Sequence, residues 1–408
     1  MNRQLSPSWT LFILTGLNLL NYLDRQIIPT VLTPLQKEFH LADDQLGRIN
    51  TIFMIGYFVT SPFFGYLGDR LARKWLIALG IFIWSLGTVL TGFAGGFGLL
   101  LFYRVLVGVG EASYATISPS LISDTFPPAK RNNALTTFYV AIPVGSALGY
   151  LLGGYVGEHF GWRSAFIWAG APGLLLALLL LPFREPKRGQ SEHQTVAKPK
   201  PRDALKLFAL ADYQLVIWGY VAYTFALGAV AFWGPQFLVR IHQMPTDKAS
   251  LFFGGVLVLA GLVGTLVGGF AATAWQKRNP AGYALMLGCS TLAAVPVVVA
   301  AFTIGDRTLA MCCLAFGMFL LFLSTGPVNT LILETVPVNL RASAMAISIF
   351  MIHLFGDMWS AEIVGHLSKH WNNLQKAVLI LPVAVLVSGA LWLWLAIKTL
   401  KARKSSAG

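Results

Sequence analysis

Charge is what this chain has least of. Only 12% of its residues are charged, about half the share of a soluble domain, so a soluble globular chain is excluded. Cysteine is equally scarce. Cys289, Cys312 and Cys313 lie in or beside apolar segments, without metal-ligand spacing, and give no disulfide framework. Phosphate-binding Gly-Lys-Ser/Thr loops, His-Glu-x-x-His and Gly-x-Ser-x-Gly are absent, which leaves no sign of ATP-driven or hydrolytic chemistry. No enzyme activity, metal or cofactor is expected, apart from protons as a coupling ion. No cleavable signal is expected either, since the first apolar run is too long for one and carries charge. Acids are outnumbered 17 to 30 by Lys and Arg. That excess suggests nucleic acid until it is located, and no basic soluble domain holds it.

What the chain has is apolar length: 56% of residues are hydrophobic. About 20 apolar residues span a bilayer as a helix. Twelve segments qualify, near 9–33, 45–68, 75–94, 98–122, 132–157, 163–182, 213–238, 249–273, 281–303, 308–332, 342–365 and 375–398. The fold class is an all-α integral membrane protein. Between Arg184 and Asp212 the chain is polar and rich in Pro and Lys, a solvated linker. The expected organisation is a six-helix bundle over 1–183, a linker over 184–212 and a second six-helix bundle over 213–408. With the N-terminus inside, inner loops and tails carry 20 of the 30 Lys and Arg and outer loops 8. The positive-inside rule then puts both termini and the linker in the cytoplasm.

The halves repeat each other. Leu121-Ile122-Ser123-Asp124-Thr125-Phe126-Pro127 aligns without gaps with Leu331-Ile332-Leu333-Glu334-Thr335-Val336-Pro337 at an offset of 210, and Arg131 with Arg341. A second echo pairs Gly65 with Gly269 and Arg73-Lys74 with Lys277-Arg278, while Thr273-Ala274 replace Asp69-Arg70. Repeats of this kind place a transport site at their interface near the midplane.

Deep in the first apolar run stands Asn21-Tyr22-Leu23-Asp24-Arg25-Gln26. One charge at a bilayer centre costs about 2.5–3.5 kcal/mol on insertion scales, so two adjacent ones face protein or a water-filled cavity. Glu111 lies mid-span in the fourth segment, with Arg104 two turns before it on the same face. Desolvation raises a carboxylate pKa and a close Arg lowers it; an acid that alternates between the two changes protonation with conformation. Asp24, Arg25, Glu111 and Arg104 are therefore the proton-coupling candidates, and permanent interhelical salt bridges are the alternative.

The loop Gly65-x-x-x-Asp69-Arg70-x-x-Arg73-Lys74 and Arg104-x-x-x-Gly108, with six-plus-six spans, resemble the major facilitator superfamily. Several stretches resemble its Spinster family. They are Leu17 to Arg25, Gly65 to Arg70, Gly108 to Tyr114, Ala141-Ile142-Pro143-Val144-Gly145-Ser146, Gly219 to Phe225, Phe232-Trp233-Gly234-Pro235, and His353 with Gly356-Asp357. That resemblance implies two pseudo-symmetric bundles and alternating-access transport of an amphiphilic lipid, lysophospholipid or sphingosine-phosphate-like. It also implies a coupling role for Asp24, Arg25 and Glu111. Short tails and outer loops look like a bacterial member, in the inner membrane and monomeric. His353 and Asp357 share a helix face, and the family spacing draws them towards a cavity; a packing His capped by its own Asp is the alternative. Tyr114, Tyr223, Phe225 and Trp233 are candidate linings of an amphiphile pocket, or ordinary packing residues. Asp69, Arg70, Arg73 and Lys74, joined by Asp124 and Arg131, are the candidate inner gate; positive-inside anchoring alone accounts for Arg73 and Lys74. A proton-coupled symporter of small organic anions and a transporter-like sensor without flux remain as competing functions.

Overall fold

Pro29 and Pro34 decide the shape of the first segment. The structure, a computed structural model, describes residues 6–180, 206–337 and 340–407. Helix α1 (Pro7–Arg25) begins with Ser6 accepting from the Trp9 N–H at 3.3 Å and Pro7 in its first turn, the arrangement that suits a helix start. The expected 9–33 rod then breaks. Proline lacks an N–H and crowds the carbonyl four residues back, which for Pro29 is Arg25 and for Pro34 is Thr30. Helix α1 accordingly stops at Arg25, and the chain continues as α2 (Ile27–Thr30) and α3 (Leu32–Phe39).

Five helices follow: α4 (Asp43–Arg70), α5 (Arg73–Thr91), α6 (Phe97–Thr125), α7 (Pro128–His159) and α8 (Trp162–Leu180). After the described residues resume come α9 (Ala211–His242), α10 (Thr246–Arg278) and α11 (Gly282–Thr303). Two further spans are each assembled from pieces: α12 (Arg307–Phe322) with α13 (Thr325–Glu334), and α14 (Arg341–Met351) with a π-helical turn Ile352–Asp357 and α15 (Met358–Trp371). A short α16 (Leu374–Ala377) leads into α17 (Ile380–Ala407). Among the described residues ten spans are long and apolar enough to cross a bilayer. The broken first segment and α8, which runs to the edge of the described residues, occupy the other two expected places. The described helices are those of a multi-pass integral membrane protein.

The chain divides into two units, Met1–Val196 with Gln243–Gly254, and Ala197–His242 with Gly255–Gly408. In the first unit α4 and α5 pack on α6, α5 on α8, and α1 on α7. The α1–α7 contact depends on missing side chains: a Cβ on Gly145 or Gly149 would strike the carbonyl of Leu19 or Leu23. Small residues allow this close approach, and their spacing of four keeps them on one face. A polar clip fastens α3. Glu38 accepts two bonds from Arg163, both 2.6 Å, and one from the Trp162 indole at 2.8 Å. Arg163 also donates to the Ala94 carbonyl at 3.2 Å. Its hydrogen bonds hold the Glu38 carboxyl below the usual glutamate range. In the second unit α9 packs on α17, on the π-turn and on α15, while α11 packs on α12 and α17.

Candidate functional site: a buried four-charge cluster

The end of α1 and the middle of α6 bring four charges together. Arg25 donates from Nε to Glu111 Oε2 at 2.6 Å. Asp24 takes a different partner: its Oδ1 lies 3.9 Å from Arg104 Nη1, and its Oδ2 accepts from the Thr88 hydroxyl on α5. Asp24, Arg104 and Glu111 are at most 2% exposed, and the cluster sums to zero charge. Asp24 and Arg25, though adjacent, each face an opposite charge on α6. Neighbouring helix residues point about 100° apart, so α6 receives the two charges at two levels, Arg104 and Glu111.

Aromatic faces enclose the cations. The Arg25 guanidinium lies 5.0–5.2 Å from the ring centres of Tyr22, Phe53 and Tyr57, and that of Arg104 4.8 Å from Phe53. Such contacts strengthen where water is excluded. Four buried atoms of the cluster nevertheless lack a hydrogen-bond partner: Asp24 Oδ1, Glu111 Oε1, and Arg104 Nε and Nη1. The Asp24–Arg104 contact is a charge contact beyond hydrogen-bond length. One pair is thus tight and the other slack.

Thr88 was not singled out in the sequence. Its signal is weak but real: Ser85, Thr88 and Thr91 recur every three residues in the otherwise apolar stretch of α5 after Lys74, and all three are fully buried. Asn18 and Asn21 are buried on α1 as well; Asn18 donates to the Phe138 carbonyl of α7 at 2.9 Å.

The remaining candidates scatter. Tyr114 is fully buried inside the first unit. Its hydroxyl donates to the Leu14 carbonyl, and its ring meets Trp84 edge-on at 5.4 Å. In the second unit Tyr223 donates to the Leu321 carbonyl at 2.8 Å and Trp233 to the Ala361 carbonyl at 2.9 Å; both rings are buried, whereas Phe225 is half-buried. His353 and Asp357 form a pair at 3.0 Å with side chains 30% and 28% exposed. Both lie in the π-turn Ile352–Asp357, a rare geometry common at functional sites. Thr224 donates to the Ile352 carbonyl there at 3.2 Å.

Of the gate candidates, Arg73 and Asp124 meet at 2.5 Å within the first unit. Arg73 is 3% exposed, so it is a buried tie between α5 and α6, not a free positive-inside anchor. Arg70 lies 4.1 Å over the Tyr66 ring and Lys74 4.9 Å over Trp75. The side chains of Asp69 and Arg131 lie outside the described residues. No group of three metal-binding side chains occurs among the described residues.

Comparison with known proteins agrees with this architecture. Residues 14–360 match the Major Facilitator Superfamily model. The chain is 35% identical over 376 residues to Protein spinster of Drosophila melanogaster, covering 89% of this chain and 62% of that protein. It is 33% identical to the Sphingosine-1-phosphate transporter SPNS2 of Danio rerio, covering 97% of this chain and 85% of that one. The solved structure of a bacterial homolog to the human lysosomal transporter Spinster superposes with a TM-score of 0.89 at 25% identity, over 97% of this chain and 98% of the other. The chain that carries this buried charge cluster belongs to the spinster family of the major facilitator superfamily.

Proposed function

We propose that this protein is a proton-coupled secondary transporter that moves an amphiphilic lipid, of the lysophospholipid or sphingosine-phosphate kind, by alternating access. The observation that carries the reading is the buried cluster of two acids and two arginines on α1 and α6. A buried charge is stable only while paired, so any motion that loosens one pair favours proton uptake by the acid left behind. The slack Asp24–Arg104 contact supports this use. The lipid substrate is supported by relatives named as sphingolipid or sphingosine-1-phosphate transporters. A small-anion site needs cations to spare, whereas Arg25 and Arg104 each face an acid.

Phe225, His353 and Asp357, which keep accessible surface, are assigned to substrate contact; Tyr223 and Trp233 are packing residues of the second unit, and Tyr114 of the first. Asp69, Arg70, Arg73, Lys74, Asp124 and Arg131 form the inner gate in this reading. The protein works as a monomer in a bacterial cell membrane, with both termini and the linker cytoplasmic, as the distribution of Lys and Arg supports.

The test is flux of a fluorescent lysophospholipid and of sphingosine 1-phosphate in proteoliposomes with and without a pH gradient. Asp24→Asn and Glu111→Gln keep shape but remove a titratable proton. Accumulation driven by the gradient is lost in both, while exchange at equal pH survives. If both variants accumulate substrate as the parent does, with the same pH dependence, the cluster is only a structural salt bridge.

A further inference from the structure

Thr88 holds one hydrogen and stands between two acceptors. Its oxygen contacts Asp24 Oδ2 and also lies 3.0 Å from the Trp84 carbonyl, one turn back on α5. A hydroxyl donates once and accepts twice. When Asp24 is ionised, the Thr88 hydrogen serves the carboxylate and the Trp84 carbonyl keeps only its helical bond. When Asp24 carries a proton on Oδ2, the roles reverse: Asp24 donates to the Thr88 oxygen, and Thr88 turns its hydrogen to the Trp84 carbonyl. Every group stays bonded in both states, and no backbone movement is required.

We propose that Thr88 is the positioning residue that gives Asp24 a hydrogen-bond partner in both protonation states, and so sets the pH at which this site exchanges its proton. The inference rests on the proton-coupled reading above. The step balances simply. One O–H bond forms at Asp24 Oδ2 with a proton taken from water, Thr88 keeps its own hydrogen, and only its torsion changes. The surroundings supply no substitute. Around Asp24 the charged groups are Arg104 and Glu111 on α6 and Arg25 beside it on α1. Tyr22 and Tyr57 face the Arg25 end. Among the described residues α7 and α8 place no charged partner on Asp24. Arg104 can favour only the ionised form, because an arginine has no acceptor. Among the described residues Thr88 alone serves both.

Infrared difference spectra between acidic and alkaline pH test this on the full-length protein. The protonated Asp24 carbonyl is identified as the band that Asp24→Asn removes. Thr88→Val, which keeps the branched shape, moves that band to higher frequency and displaces its pH midpoint by about one unit, the size a hydrogen bond to a charged group confers. Thr88→Ser restores both, and Thr88→Ala replaces the valine variant if that fails to fold. A Thr88→Val spectrum with the parent's band and midpoint overturns the Thr88 assignment and leaves the coupling reading standing. A parent spectrum with no Asp24-dependent band at any pH overturns the Thr88 assignment and takes Asp24 out of the coupling reading, which then rests on Glu111.

Discussion

At the scale of single residues, burial decides how much an ion pair matters, and the first unit holds both extremes. Glu111 is sealed from solvent beside Arg25, while Glu38 and Arg163 each keep 40% exposure. An exposed pair adds about 1 kcal/mol or less, so the clip is a fastener and not a foundation. Its pH dependence has a definite sign. The Glu38 carboxyl is held below its ordinary value of 4.5, so the stabilisation is complete above that value and fades as the pH falls through the depressed one. Thermal unfolding of Glu38→Gln should show a lower midpoint at neutral pH and a smaller loss between neutral and acidic pH than the parent. Equal acid-induced losses would remove Glu38 from the account. The sequence went far at this scale: Asp24, Arg25, Arg104 and Glu111 stand out because charge is so rare. Their pairing was hidden, because it depends on the rotation of α1 against α6. Thr88 was hidden because a threonine within a span is unremarkable until its neighbour is known.

At the scale of helices, proline and glycine explain most of the departures from straight rods. Pro29 and Pro34 were visible in the sequence, yet a tally of apolar length alone passes over them and draws one continuous span. The glycines of α7 were equally visible, but only the structure shows that they meet the carbonyls of α1. Replacing Gly149 with Val overfills that contact at a cost of about 1–3 kcal/mol. It should lower the unfolding temperature and disturb the charge cluster through α1. Gly98→Ala, with nothing within 4 Å of its new methyl group, is the control and leaves the unfolding temperature near the parent's. Equal behaviour of the two variants in detergent would show that α1 and α7 separate without penalty. The π-turn at Ile352–Asp357 had no sequence signal, since the helical pattern runs through it unbroken; His353 and Asp357 share a face at the spacing of an ordinary helix too.

At the scale of the whole chain, the two halves were legible from their repeats, because the same loop chemistry recurs in each half after corresponding apolar segments. The charge cluster adds a constraint on how the first half comes into being. Asp24 and Arg25 together burden the first span with about 5–7 kcal/mol on insertion scales, and Arg25's acid partner lies 86 residues further on. At bacterial and eukaryotic synthesis rates of about 5–20 residues per second, roughly 4–17 seconds separate the two. During that interval the nascent first helix carries its charges without their mates. It should therefore remain beside the insertion machinery until α6 leaves the ribosome. A photo-crosslinker at Leu20, read out on chains of increasing length, should report contact with that machinery up to the emergence of Glu111, and Arg104→Gln with Glu111→Gln should prolong it. Release at the same length in the parent and the double variant would refute the idea. The residues proposed to handle the finished protein's proton would then also set the order in which the ribosome's product leaves its guardians, with the first helix made retained until the fourth apolar segment arrives.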